Sequence, residues 1–130
     1  MSGGAAKPRV LIVDDEESDR KGMAVALGRA GITDIAFAQT GAAAVALARE
    51  FCPDVTLIDV VIPPVDGFDV CRDIKLIEGL NTIVIVITGH LEAVIVDKAR
   101  TSGADEIIQK ESGFSNIVAT IERIQRERIL

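Results

Sequence analysis

Residues 10–16, Val-Leu-Ile-Val-Asp-Asp-Glu, set the pattern of the chain, because a short aliphatic run ends abruptly in acidic residues. Comparable apolar runs, mostly rich in β-branched residues, return at positions 35–38, 55–58, 83–87 and 107–108. Apolar runs that are continuous rather than alternating are typical of strands buried on both faces, as in a parallel sheet covered by helices. The runs therefore predict five buried strands.

The segments between these runs have the spacing of amphipathic helices. Apolar residues recur three and four positions apart in each segment: Met23, Leu27 and Ala30; Ala44, Leu47, Ala48 and Phe51; Val70, Cys71 and Ile74; Val96 and Ala99; and Phe114, Ile117, Ile121 and Ile124. Gly31, Pro53, Gly79 and Gly103 follow the first four segments, where helices are expected to end. Strands that alternate with helices over five units predict an α/β fold, with a doubly wound, five-stranded parallel sheet.

A chain of 130 residues fits one domain of this kind. We expect residues 9–126 to form the domain, residues 1–8 to be a flexible tail, and residues 127–130 to be the end of the last helix or the start of a linker. The tail has no apolar run that could serve as a signal peptide. No apolar stretch approaches the roughly 20 residues that a membrane span requires. A cytoplasmic protein without membrane contact is expected.

The composition argues against direct binding of nucleic acid by this domain. The formal net charge is −6, whereas neutralisation of nucleic-acid phosphates requires a concentrated basic face. The chain has four Phe residues and neither Trp nor Tyr, so a platform on which bases could stack is not expected.

Polar residues stand where four of the predicted strands end. Asp14 and Asp15 follow the first strand, Asp59 the third, Thr88 the fourth and Lys110 the fifth. Parallel strands have their carboxyl ends at one edge of the sheet, and ligands of doubly wound folds bind outside that edge. Carboxylates, a hydroxyl and an ammonium group are therefore predicted to converge.

Each of these residues also has a purely structural interpretation. Asp14 or Asp15 could cap the first helix, with Glu17 closing a capping box from Asp14, and Thr88 could cap the fourth helix. Asp59 could bond to its own loop, as aspartates in turns commonly do. Lys110 could be an ordinary surface lysine.

Considered together, the residues favour a site for a cation and a phosphoryl group. Carboxylates crowded at one edge repel one another, so that either a pKa rises or a cation binds. Oxygen ligands without Cys or His favour Mg²⁺, and a lysine beside them supplies a charge for a phosphate oxygen. A carboxylate in such a site can act as a nucleophile towards a phosphoryl group.

Four segments in the same order resemble the receiver domains of response regulators in two-component signalling. They are residues 10–16, residues 59–67 (Asp-Val-Val-Ile-Pro-Pro-Val-Asp-Gly), residues 87–89 (Ile-Thr-Gly) and residues 103–110 (Gly-Ala-Asp-Glu-Ile-Ile-Gln-Lys). The resemblance extends from residue 9 to about residue 126. It implies a flavodoxin-like (βα)₅ fold with the strand order 2-1-3-4-5, and a signalling switch rather than an enzyme.

The resemblance also implies a role for each matching residue. Asp59 would accept a phosphoryl group from a phosphohistidine of a histidine kinase or a histidine phosphotransfer protein. Asp15 resembles the direct Mg²⁺ ligand of the family, and Asp14 resembles the acid that acts mainly through water. Asp59 and the backbone carbonyl of Val61 would complete the coordination by the protein.

The remaining matches concern the switch. Thr88 matches the hydroxyl that moves towards the phosphoryl group, and Lys110 matches the lysine that pairs with it. The chain departs from the family at Ile107, where a switch aromatic is usual, and at Glu111, where Pro usually follows the lysine. Both departures leave the acceptor chemistry unchanged and predict an altered route of signal output to a downstream protein.

Val61 and His90 occupy family positions that flank the path of water to the phosphoryl group, so we expect them to tune the lifetime of the phosphorylated state. Two other functions remain open. A pseudo-receiver that is never phosphorylated would serve only as an interaction module, although the full set of site residues argues against it. A Mg²⁺ phosphatase with an aspartyl nucleophile usually has a second acid two residues later, where Val61 stands.

Overall fold

The computed structural model describes residues 7–62 and 65–129. Residues 1–6 of the expected tail, and Leu130 at the other end, lie outside the described residues. The strands are β1 (Val10–Val13), β2 (Ile35–Ala38), β3 (Val55–Asp59), β4 (Val61–Ile62), β5 (Val65–Asp66), β6 (Ile83–Thr88) and β7 (Glu106–Gln109). The helices are α1 (Glu17–Arg29), α2 (Gly41–Phe51), α3 (Gly67–Lys75), α4 (Ala93–Thr101) and α5 (Ser115–Ile129), with a 3₁₀ turn at Ser112–Phe114.

The five longer strands form one parallel sheet in the order β2-β1-β3-β6-β7. β4 and β5 pair with each other and do not belong to this sheet. If the five strands of the sheet are numbered one to five along the chain, their order is 2-1-3-4-5. The predicted doubly wound, flavodoxin-like fold is confirmed. Val10 pairs with Ile35 on one side and with Val55 on the other, and therefore the central strands run level towards their carboxyl ends.

The sheet separates two apolar clusters because successive side chains of a strand point to opposite faces. Leu11 and Val13 belong to the cluster under α2, α3 and α4, whereas Val10 and Ile12 belong to the cluster under α1 and α5. All four of these side chains are fully buried. Burial of the sheet on both faces explains why the strands are continuous apolar runs.

The helices end near the positions that the sequence indicated. Gly31 and Gly103 have φ angles of 83° and 91°, in the left-handed region where glycine costs least, and they follow α1 and α4 within two residues. At the end of α2 the left-handed residue is Cys52, directly before Pro53.

The prediction for the last helix was wrong in one respect. Phe114 lies in the 3₁₀ turn with a positive φ of 55°, and α5 begins only at Ser115. Its ring still packs against the cluster under α1 and α5, where it lies so close to Gly22 that an added Cβ at Gly22 would be 2.6 Å from it. The spacing therefore identified the buried residue but not the irregular backbone that carries it.

Gly67 lies against the end of β3, next to the hairpin of β4 and β5 that the sequence did not indicate. An added Cβ at Gly67 would clash with the carbonyl oxygen of Asp59 and would lie 2.9 Å from that of Val60. The N–H of Gly67 donates to the Val60 carbonyl at 3.0 Å. Asp66 caps α3 by accepting from the N–H of Phe68 at 2.7 Å. Only glycine fits this approach to the backbone of Asp59.

We expect Gly67→Ala to lower the free energy of unfolding by roughly 1–3 kcal/mol, because the backbone around Asp59 must shift to admit a methyl group. Gly28→Ala is the control: no atom lies within 4 Å of its added Cβ, so it should be neutral or stabilising by up to about 1 kcal/mol. Urea unfolding followed by circular dichroism measures both. Native stability in the Gly67→Ala variant would contradict the close approach.

Candidate functional site

The polar residues predicted to converge lie at one edge of the sheet. Asp14 follows β1, Asp59 is the last residue of β3, Thr88 is the last residue of β6, and Lys110 follows β7. The neighbouring strands β1, β3 and β6 end level with one another, which brings these side chains to the carboxyl edge. The side chains of Asp14, Asp59 and Thr88 are all buried.

Lys110 binds the carboxylates of this edge together. Its Nζ donates to Oδ2 of Asp59 and to Oδ2 of Asp19, at 2.7 Å each, and lies 4.0 Å from Oδ2 of Asp14. Burial by itself lowers the pKa of Lys110, but the hydrogen bonds to Asp19 and Asp59 outweigh it and raise the pKa above its ordinary value. The interpretation of Lys110 as an ordinary surface lysine was wrong.

Asp14 is a buried carboxylate that is only half satisfied. Its Oδ1 accepts from the N–H of Glu16 at 2.8 Å, whereas its Oδ2 accepts no hydrogen bond from any residue that the structure describes. Burial raises the pKa of Asp14 to about 7, and the charge of Asp59 adds to this effect. The N-cap of α1 is Glu16, with no side-chain cap, so the proposed capping box of Asp14 with Glu17 was wrong.

The pocket has the donor set that a hard divalent cation requires. Asp14, Asp19 and Asp59 each offer an oxygen, and these oxygens lie within 4.8 Å of one another. Oxygen ligands and a buried oxygen without a hydrogen bond fit Mg²⁺. Asp15 is exposed and lies outside this group of three. Its assignment as a metal ligand stays a prediction.

Asp19 is a pocket residue that the sequence analysis missed. As an acid in the first turn of a helix, it has the appearance of an ordinary interaction with the helix dipole. A signal was nevertheless present, since Asp19 stands four positions before Met23, the first fully buried residue of α1. Residues four apart share one helix face, so Asp19 lies on the buried stripe.

The carboxylate of Asp59 forms a hydrogen bond with the backbone that directly follows β3. Oδ1 of Asp59 accepts from the N–H of Val61 at 2.8 Å, so the expected bond to its own loop is present together with the contact to Lys110. The side chain of Val61 is 68% exposed. The role of its carbonyl as a metal ligand stays a prediction.

The hydroxyl group of Thr88 forms hydrogen bonds with the backbone of the loop that follows β6. Its hydroxyl donates to the carbonyl of His90 at 3.0 Å and accepts from the N–H of His90 at 3.2 Å. The N-cap of α4 is Glu92, so the interpretation of Thr88 as a helix cap was wrong. Ile107 lies in β7, is partly buried, and packs against the cluster under α2, α3 and α4, while Glu111 is exposed.

A doubly wound sheet with a carboxylate pocket and a lysine at its carboxyl edge is the arrangement that the four sequence segments implied. The chain belongs to the response regulator receiver domain family, whose model matches residues 10–122. It is therefore a receiver domain of two-component signalling, the class of module that acts as a signalling switch.

Named relatives agree with this assignment. The DNA-binding response regulator MtrA of Mycolicibacterium paratuberculosis is 31% identical over 121 residues, which are 92% of this chain and 52% of that protein. The transcriptional regulatory protein AfsQ1 of Streptomyces coelicolor is 33% identical over 103 residues, 79% of this chain and 44% of that protein. The chain spans about half the length of the curated relatives it matches.

Solved structures agree as well. A two-component response regulator of the LuxR family from Aurantimonas sp. SI85-9A1 has a TM-score of 0.84 and 28% identity, covering 92% of this chain and 85% of that chain. The chemotaxis protein CheY4 of Vibrio cholerae has a TM-score of 0.83 and 25% identity, covering 91% and 98%. In the described part of the chain, every helix is too short or too polar to cross a membrane.

We expect Asp14→Asn to stabilise the metal-free protein in a pH-dependent way. The pKa of Asp14 is raised from 3.8 to about 7 on folding, so the unfolded chain loses this proton first as the pH rises. The native chain therefore loses stability between about pH 4 and pH 7. The variant escapes this loss, and its advantage should grow from near zero at pH 4 to roughly 2–4 kcal/mol at pH 8.

Denaturant unfolding at several pH values, in the presence of a chelator, measures this difference. Asp15→Asn is the control, because it removes an exposed carboxylate from the adjacent position. Added Mg²⁺ should reduce the advantage of Asp14→Asn, since a bound cation compensates the buried charge. If the free energies of unfolding of the native chain and the variant changed with pH in the same way, a raised pKa of Asp14 would be excluded.

Proposed function

We propose that this domain is a Mg²⁺-dependent phosphorylation switch in which Asp59 accepts a phosphoryl group from a phosphohistidine. The observation that carries the proposal is the contact of 2.7 Å between Asp59 Oδ2 and Lys110 Nζ at the carboxyl edge of the sheet. The ammonium group holds the carboxylate in place by a charge-assisted hydrogen bond, and the same ammonium can donate to a phosphoryl oxygen. Histidine kinases or histidine phosphotransfer proteins are the proposed donors.

The acidic side chains of the pocket support the proposal that a magnesium ion binds there. Asp14, Asp15, Asp59 and the carbonyl of Val61 are the proposed protein ligands, and the buried oxygen of Asp14 favours a cation in this place. Mg²⁺, when bound, supplies positive charge that compensates the oxygens of a transferred phosphoryl group.

In the proposed transfer, a carboxylate oxygen of Asp59 attacks the phosphorus of the phosphohistidine. An O–P bond forms while the P–N bond breaks, and the electron pair of the P–N bond stays with the ring. The ring leaves as neutral imidazole because its other nitrogen carries a proton. Lys110 stabilises the charge of the new acyl phosphate by donating to one of its oxygens.

The proposed readout of phosphorylation begins at Thr88. Its hydroxyl can exchange its bonds with His90 for a bond to the phosphoryl group, and this exchange would release the loop that leads into α4. Ile107 is partly buried already and has no ring to rotate, so the signal should leave through this loop. His90 is exposed beside Thr88, and with Val61 it is the proposed determinant of the phosphoryl lifetime.

The proposed downstream partner is a protein. MtrA is named as DNA-binding, but the net charge of −6 of this chain argues against direct contact with nucleic acid.

We expect Asp59→Asn to abolish phosphorylation, because the amide lacks the nucleophilic carboxylate. The native chain, incubated with Mg²⁺ and acetyl phosphate, should gain one phosphoryl group, and chelation of the metal should prevent this. Intact-protein mass spectrometry measures the gain. Asp73→Asn, an exposed aspartate of α3, is the control and should be phosphorylated as the native chain is. Full labelling of the Asp59→Asn variant would disprove the assignment.

We expect beryllofluoride, which imitates the phosphoryl group, to perturb residues 89–91 and α4 more than Ile107. The physical reason is that a ligand shifts a conformational equilibrium only through contacts that differ between the two states, and Thr88 provides such a contact. Amide chemical shifts with Mg²⁺ and beryllofluoride measure the response, and Thr88→Ala should diminish it in α4. A response centred on Ile107 with a silent α4 would contradict this route.

A further inference from the structure

Asp19 contacts Lys110 as closely as the proposed acceptor does. Oδ2 of each carboxylate lies 2.7 Å from Lys110 Nζ. The side chains of Asp19 and Lys110 are 22% and 27% exposed, whereas those of the helix-surface pair Glu17–Lys21 are 71% and 74% exposed. Water therefore screens the pair of Asp19 and Lys110 much less than an ordinary surface ion pair.

This contact affects how Lys110 can meet a phosphoryl group. An ammonium group has three N–H donors, and Asp19 and Asp59 each accept from one of them. A phosphoryl group on Asp59 would have to draw on an ammonium whose charge Asp19 already compensates in part. The negative charge of Asp19 would also repel the phosphoryl oxygens. Asp19 should thus weaken phosphoryl binding.

The same carboxylate should strengthen binding of a divalent cation. An oxygen of Asp19 lies within 4.8 Å of oxygens of Asp14 and Asp59. Independently of this grouping, the fully buried Oδ2 of Asp14 accepts no hydrogen bond from the described residues, which leaves it available as a ligand for a cation. Asp19 therefore acts with opposite signs on the two charged ligands.

We propose that Asp19 is a positioning residue that withholds the Lys110 ammonium from the phosphoryl group and so makes phosphoryl binding depend more strongly on Mg²⁺. The inference rests on the proposed function of the pocket. Lys110 stays with the carboxylates of Asp19 and Asp59 until a second positive charge is present. It then turns to the phosphoryl oxygens while Asp19 interacts with the cation.

The test is Asp19→Asn, which keeps the size of the side chain and one acceptor oxygen but removes the charge. Calorimetric titration gives the affinity for Mg²⁺ alone, and an amide NMR titration at saturating Mg²⁺ gives the affinity for beryllofluoride. The affinity for Mg²⁺ should fall about threefold to tenfold, and that for beryllofluoride should rise by a similar factor of about threefold to tenfold.

Glu17→Gln is the matched control, since it removes the same charge from the same helix turn at a highly exposed side chain that pairs with Lys21. It should change each affinity by less than about twofold, because an exposed charge is largely screened. Equal effects of the two variants would overturn the inference, because they would reflect the general charge of the helix terminus.

The sign of the change in Asp19→Asn separates the remaining explanations. Loss of both affinities would show that Asp19 merely supports the pocket or tethers Lys110, and it would overturn the inference. If the native chain bound both ligands and Asp19→Asn bound them with the same affinities, this inference would fail while the proposed function stood. If the native chain bound no beryllofluoride in the presence of Mg²⁺, the proposed function and this inference would both fail.

Discussion

The ammonium group of Lys110 connects parts of the chain that the parallel sheet forces together. Its contacts with Asp59 at the end of β3 and Asp19 in α1, and its proximity to Asp14 after β1, join helix α1 and the sheet edge at one atom. Strand pairing fixes where these carboxylates lie, and they would repel one another strongly without a cation among them. The positive charge of Lys110 offsets the repulsion among the carboxylates, and its hydrogen bonds hold Asp19 and Asp59 in their positions.

One lysine does not neutralise the whole pocket. Asp14 retains a buried oxygen without a hydrogen bond, and burial raises its pKa to about 7. A carboxylate in this condition costs stability, and such costs are concentrated at functional sites because they prepare a place for a ligand. The departure from an ideal fold thus lies in the acidic pocket at the carboxyl edge of the sheet.

The output side of the domain follows a different constraint. Thr88 is buried at the end of β6, yet both of its hydroxyl bonds are made to His90, within an exposed loop. Its partners can therefore change without disturbing the sheet. Ile107 already packs against the apolar cluster and offers no second aromatic position. The hydrogen bonds of Thr88 thus involve other residues than those of Asp59, which are made with Lys110 and Val61.

The sequence by itself determined the fold, because five apolar runs buried on both faces leave few arrangements other than a doubly wound parallel sheet. It also indicated Asp14, Asp59, Thr88 and Lys110, since each stands at a strand end and the carboxyl ends of parallel strands share one edge. Only the tertiary structure decided that Asp19 belongs to the pocket, that Thr88 bonds to His90, and that Phe114 precedes α5. Asp19 and Lys110 are 91 positions apart, and their contact depends on how closely α1 packs beside the end of β7. The spacing of residues along the chain does not predict this contact, because the contact arises when the helices pack onto the assembled sheet.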